Sequence, residues 1–421
     1  MHTALFAIII ANIVCAFGAS MSFNNQTYKN LSSAIITYVE LKDVSSLKEP
    51  SYINQLMNIK NIVNSLTNIC MITSLLLNGA KEATENELMS NLGITDDQKI
   101  SLNGYLANLT YLNGIGNIEL HLETAVYVQN SIELTADFSS ICINIFNCSI
   151  SKVDFSNNTH VAETINLWAQ KATNYNMLNH VISPVNVDKG TKVMLVNIVY
   201  LNSRWLNSTY TKKTERRKFY ISPSKMYFVP TIKFEKSTFI HGEIPHWNAK
   251  FIEIPFLDNN VTMIIFLPNK NMEPGNLEYL EKKLNFFEFE SIRTAYTNKF
   301  EQDMDLYLPK FMTAYHENMT DFFRMMGVTT MFENNADFTR LSEIPLKVNN
   351  IVQTVSVKIN GEGSEAPNDN IFDESEIREP VDPLQELVID RPFHYYIEVY
   401  GEIMFAGTVR APEFIFLKDE L

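Results

Sequence analysis

Arg378 is the only basic side chain in residues 361–390, a stretch that also carries ten aspartates and glutamates. A trypsin-like protease recognises a single cationic side chain, so within this stretch it can cut only there, between neighbours Ile377 and Glu379. The surrounding pattern explains why such a residue would be reachable. Upstream, Val348, Ile351, Val355, Val357 and Ile359 recur with polar residues between them, as along a strand. Gly361 and Gly363 end that run, and residues 364–386 have no sustained apolar periodicity. Two further β-rich runs follow, Phe393–Val399 and Ile403–Val409, joined by a tight turn at Tyr400–Gly401. A loop strung between buried strands is placed to be cleaved or bound. The chemistry offered is that of a substrate.

Chemistry performed by the chain itself has little to rest on. There is no G-x-S-x-G elbow, no H-E-x-x-H, no C-x-x-C and no glycine-rich phosphate loop. Gly361-Glu362-Gly363 lacks the later glycine and helix start of a dinucleotide site. The eight histidines are scattered, and His316-Glu317, followed by Asn and Met, reads as surface. No enzyme activity, cofactor or metal is expected.

The elements that would position the loop run through one unit. Strand and helix patterns interleave from residue 24 to residue 412 without a Gly/Ser/Pro linker, an internal repeat or a low-complexity tract. Hydrophobic residues make up 46% of the 421, ordinary for a globular core. Ala4–Gly18 is an apolar run with a small–x–small pattern at Ala16-Phe17-Gly18, so residues 1–20 read as a signal peptide. That run is short for a bilayer, and no other segment reaches the length of a span. Residues 413–421 form a tail ending in Lys418-Asp419-Glu420-Leu421, the tetrapeptide read by the KDEL receptor for retrieval to the endoplasmic reticulum. Eight N-x-S/T sequons agree with that compartment: Asn25, Asn30, Asn108, Asn147, Asn157, Asn207, Asn260 and Asn318. Three cysteines remain after signal removal, too few for a disulfide framework. Cys142 and Cys148 can form a short bridge, and Cys70 sits in an apolar run as a buried thiol. A net charge of −14 disfavours nucleic acid and anionic membranes as partners.

The phrases of the chain resemble the serpin superfamily. Thr73–Ile94 looks like the family's helix ending in "LGAKG-T", and Ile165–Pro184 like its "IN-W-E--T-GKI" helix. Val193–Trp205 is similar to its "LVNAIYFKG-W" strand, and Phe251–Pro268 to its "E-PY---N-SM-IFLP" hairpin. Asp305–Lys310, Met326–Phe338 and the closing F-x-G-x-V-x-x-P of residues 405–412 follow in the family's order. The resemblance implies an α+β serpin fold: three β-sheets, about eight or nine helices and an exposed reactive-centre loop at about 361–386. A single monomeric domain over 21–412 is expected.

It also implies a mechanism in which a protease cleaves the loop and the freed segment enters the largest sheet as a new strand. Aligning Gly363-Ser364-Glu365-Ala366 on the family's "G-[ST]-E-A" hinge puts the scissile bond at Ile377–Arg378. Counting back from Pro392 also allows Arg378–Glu379. The hinge then runs Gly361, Gly363, Ser364, Glu365, Ala366, Pro367, Asn368 and Asp369, where inhibitory members continue with small residues after the first alanine. Proline removes a ladder donor, and alternation from Ser364 would bury Asn368, Asn370, Phe372 and Glu374. At the family's sheet-opening positions stand Ser65, Asn68, Asn197, Trp205, Lys310 and Gln353. Gln353 replaces a histidine, and Gly361 replaces the glutamate that usually faces Lys310. Two functions follow as expectations. One is a non-inhibitory resident of the endoplasmic reticulum that binds or folds a client protein, similar in logic to the family's collagen chaperone. The other is a suicide-substrate inhibitor of a serine protease.

Overall fold

The computed structural model describes residues 61–412 except 93–94, 111–117, 174–177, 179, 204, 206–212, 259, 271–276, 278, 281–283, 285–297, 326 and 360–384. The expected signal peptide and retrieval tail, Asn25, Asn30, Asn207 and the expected hinge with its scissile bonds lie outside the described residues.

A five-stranded sheet forms the centre, in the order β10 (Phe311–Asn318), β11 (Asn350–Ile359), β4 (Val193–Ser203), β2 (Ile118–Gln129), β3 (Ser149–Val153). β11 and β4 are parallel, while β10–β11 and β4–β2 are antiparallel. Val193 through Leu201 are all buried, so β4 is covered on both faces. This is why its sequence is nearly continuously apolar rather than alternating.

Helices supply the two covers. Residues α1 (Leu66–Gly79) and α2 (Glu82–Leu92) were expected as one helix over 73–94, but the backbone turns extended at Ala80, whose N–H still bonds Leu76 O at 2.9 Å. The described side chains of α1 are buried all round, Ile69, Met71, Ile72, Leu75, Leu76 and Leu77 among them, the mark of a core helix. It packs with α3 (Asp96–Thr110), α4 (Ala136–Asn144) and the face of β4 that carries Leu195 and Val199. The opposite face, with Met194, Val196 and Ile198, meets Val161, Ala162, Ile165 and Ala169 of α5 (Asn158–Ala172). The segment expected as a helix over 165–184 therefore holds only the second half of α5. The helix starts earlier because the Asn157 side chain accepts the His160 N–H, and it ends where Thr173 leaves helical geometry. α6 (Thr320–Met325) brings the α-helices among the described residues to six.

The second sheet runs β1 (Ile62–Asn64), β14 (Glu402–Val409), β13 (Phe393–Val399), β8 (Val261–Pro268), β7 (Ala249–Pro255), β6 (Lys225–Ile244), β9 (Asn298–Pro309), β12 (Gln385–Val388), with β5 (Lys213–Ser222) also on β6. β6 is 20 residues long and bulges between Phe234 and Ser237, where Lys236 has φ 47°. The two halves on either side of that bulge stay joined by hydrogen bonds, so the three expected sheets count as two by bonding. β13 and β14 meet at Tyr400 and Gly401, with φ 53° and 87°, the left-handed pair a two-residue hairpin requires. Gly407 leaves room for the Tyr395 ring, whose hydroxyl shares a hydrogen bond with Thr313 of β10 at 2.6 Å and ties the two sheets together.

Candidate functional site

The loop leaves the end of β11 and returns at β12, and Gln385 and Glu386, placed at its end by sequence, pair instead with Met304 and Asp305 of β9. A loop that entered the central sheet after cleavage would part β11 from β4. That seam is therefore the candidate site.

Four of the sequence-predicted residues gather at its middle. Asn197 and Gln353 are Cα partners across the seam, and Thr124 is the partner of Asn197 on the other side. Their neighbours two residues away, Leu122, Val199 and Val355 above and Val126, Leu195 and Ile351 below, all belong to the core beneath α1. One polar row thus crosses an apolar face. Asn197 Nδ2 donates to Thr124 Oγ1 at 2.7 Å, and Gln353 Nε2 donates to the Ser65 carbonyl at 3.4 Å. Ser65 caps α1 without a side-chain hydrogen bond, and Asn68 lies in the first turn. All four, Ser65, Asn68, Asn197 and Gln353, are completely buried.

Trp205 and Lys310 lie elsewhere, at the end from which the loop departs. Phe311 is the partner of Ile359, the last residue of β11, so Lys310 stands beside the exit and is itself buried. Trp205 follows β4, bridges to Phe256, stacks on its ring at 4.5 Å and meets Phe234 edge-on at 5.6 Å. The six residues thus form two groups, a polar row at mid-seam and a clamp at the exit.

Two participants escaped sequence reading. Thr124 gave no signal, because its partner is 73 residues away. Glu123, on the α5 face of β2 beside Ala125 and Tyr127, has its carboxyl pushed up to about 7 by burial. Its only sequence mark is a charge inside a strand covered on both faces. The consequence has a definite sign. Below the ordinary carboxylate range Glu123 is protonated folded and unfolded. Between that range and pH 7 only the folded state keeps the proton, so stability falls as pH rises and levels off above 7. Glu123→Gln should therefore match the parent near pH 4 and exceed it at pH 8 by about 2–3 kcal/mol in urea unfolding. A constant gap at both pH values would contradict this.

His316, expected as surface, is exposed and shares a hydrogen bond with Thr354 Oγ1 at 2.9 Å. Asn108, Asn147, Asn157, Asn260 and Asn318 are all exposed. The Asn157 cap uses Oδ1, which leaves its side-chain nitrogen outside that bond. Cys142 and Cys148 are joined in a disulfide, and Cys70 lies within α1. Among the described residues no helix is long and apolar enough to cross a membrane.

An α+β fold in which a long segment joins the last strand of the central sheet to the second sheet is the arrangement of serpins. The family model described as serpin (serine protease inhibitor) matches residues 51–412, and the chain belongs to that family. An antitrypsin of Bombyx mori is 30% identical over 354 residues, 83% of this chain and 87% of that protein. Among solved structures, a highly specific serpin of the insect Tenebrio molitor superposes with a TM-score of 0.70 at 24% identity, covering 84% of this chain and 92% of that one. Thyroxine-binding globulin in complex with thyroxine superposes with a TM-score of 0.74 at 21% identity, covering 97% of this chain and all (100%) of that one. Serpins mostly act on serine proteases as suicide substrates and are not catalytic enzymes.

Proposed function

We propose that this serpin is a non-inhibitory resident of the endoplasmic reticulum that binds or folds a client protein. The observation that carries the reading is the hinge sequence Pro367-Asn368-Asp369 set against a slot that is buried on both faces. A strand entering between β4 and β11 would place alternate residues against the α1 core and the α5 face. Pro367 has no N–H to give a central strand, and buried Asn368, Asn370 and Glu374 would each need a partner. Every unmade buried hydrogen bond costs about 1–3 kcal/mol, and a charge costs more. Slow insertion lets the bound protease complete hydrolysis and leave. The tail Lys418–Leu421 supports residence through the KDEL receptor, and the sequons support a glycoprotein of the secretory pathway.

A second reading has one observation in its favour. β11 pairs directly with β4 along eight residues, from Asn350 to Val357, so the slot a cleaved loop would take is still shut. That arrangement fits a serine endopeptidase inhibitor that traps its target after cleavage at Ile377–Arg378 or Arg378–Glu379.

Mixing the purified protein with trypsin-like and elastase-like proteases separates the two. Clean loop cleavage, with full protease activity remaining and no SDS-stable adduct, is expected. A one-to-one covalent adduct would overturn the first reading in favour of the second.

A further inference from the structure

The cations of this chain are not spread evenly. Residues 212–225 hold six of its 34 lysines and arginines against one acidic residue, Glu215, in a protein whose net charge is −14. Most of that stretch is β5, which turns back into β6. Register assigns the two faces of the hairpin, because residues directly opposite each other project to the same side. Arg216 is the partner of Pro230, Lys218 of Phe228 and Tyr220 of Met226, so these six side chains share one face. The alternate set turns the other way: Phe219 and Val229 enter the core, and the Arg217 guanidinium lies over the Tyr307 ring at 3.3 Å.

On the first face Phe228 is 52% and Met226 44% exposed, two residues apart on β6. Arg216, Lys218 and Lys225 are exposed around them and make no ion pair among the described residues. A single exposed apolar side chain is ordinary, but an adjacent pair rimmed by charge marks a contact surface. Tyr220 carries the face into a cleft of about 380 Å³ that Pro223, Lys270, Asp390 and Arg391 complete. Asp390 is matched there by both Arg391 and Lys270, the latter at 3.4 Å, so the cleft keeps a net positive charge.

We infer that this outer face of the β5–β6 hairpin docks an extended acidic polypeptide segment that also carries a bulky apolar residue. Charge complementarity sets the first requirement. An extended peptide repeats its side chains on one face every second residue, roughly 7 Å apart, which is also the spacing of Arg216 and Lys218 along β5. Acidic residues at alternate positions therefore meet both cations. Phe228 and Met226 set the second requirement, an aromatic or aliphatic side chain between the acids. A sulfated polysaccharide meets the cations but leaves the apolar pair uncovered, and the overall charge of −14 repels a long polyanion at a distance. The inference gives the client of the proposed function a chemistry and a place, and rests on that reading only for the partner's being a client.

The test is fluorescence anisotropy of the mature chain with a labelled synthetic peptide in which Glu alternates with Thr around a central Phe. Saturable binding that weakens as salt rises is expected. Arg216→Glu/Lys218→Glu should weaken it by roughly tenfold or more, and Phe228→Ser by roughly fivefold. Lys189→Glu, at an exposed cation outside the hairpin, should leave it unchanged. A peptide with Lys in place of Glu should bind the double variant better than the parent, a gain that a misfolded chain would not give. Absent binding, or equal binding by the double variant, would overturn the inference. So would a heparin fragment that displaces the peptide and binds Phe228→Ser as well as it binds the parent, since that result describes a polyanion site. The adduct assay tests the non-inhibitory reading separately, so either can fail alone.

Discussion

Replacing Pro367, Asn368 and Asp369 together with alanine should turn a substrate into a trap. In the parent, under the proposed function, cleavage at the loop should leave the protease active and the melting temperature near its starting value. In the triple variant an SDS-stable adduct should appear, and the nicked chain should melt well above the intact one. The reasoning is kinetic. The inserting segment races hydrolysis of the acyl-enzyme, and each early barrier in the strand slows it. Restoring the ladder N–H at 367 and removing the buried amide at 368 recovers about 1–3 kcal/mol per group. Each 1.4 kcal/mol felt at the barrier is about tenfold in rate, so insertion should accelerate by roughly 10–100-fold even if only one group dominates. A strand entering there would be covered on both faces, since β4 from Val193 to Leu201 is buried on both. If the triple variant is cut as cleanly as the parent, the hinge is not what prevents trapping, and the departures at Gln353 and Gly361 become the explanation to pursue.

Trp205→Ala should give the largest loss of stability among the candidate site residues. The indole is 2% exposed, lies flat on Phe256 at 7° and meets Phe234 at 89°, so truncation leaves a cavity between two aromatic rings that cannot collapse. Phe/Trp→Ala changes in such settings cost about 3–5 kcal/mol. The midpoint of urea unfolding should drop accordingly, while Trp205→Phe, which keeps a ring on Phe256, should lose clearly less. Because Trp205 sits where the loop leaves the sheet, the alanine variant should also open that end more readily, measured as faster proteolysis at Arg378. Equal losses for alanine and phenylalanine would show that the stack contributes little.

Much of this molecule was legible before any coordinates. The run from Ile351 to Ile359 emerged as β11, with Val348 just before the strand, and the Tyr400–Gly401 turn emerged with both residues left-handed. The six sheet-opening residues came from resemblance as one set, and the fold pairs Asn197 with Gln353 across the seam and bonds Gln353 to the Ser65 carbonyl. The break between α1 and α2 was missed because Ala80 and Lys81 are good helix formers. What stops the helix there is tertiary: the Lys81 N–H bonds the Asp337 carbonyl at 2.9 Å, and Arg340 donates to the Ala80 carbonyl at 2.7 Å. Thr124 and Glu123 were invisible for the same kind of reason, since their partners and their burial come from distant strands and from α5.

Taken alone, the amino-acid order pointed to the family and to most of its strands and helices, and it carries the acidic run with its lone arginine. These depend on local periodicity and short phrases, which a linear reading can see. Only the tertiary structure decided that one polar row crosses the apolar face at mid-seam, that the six site residues split between that row and the loop exit, and that Glu123 holds its proton to about pH 7. Register between strands and desolvation by a covering helix are properties of the packed whole, because both depend on which distant residues come to lie side by side.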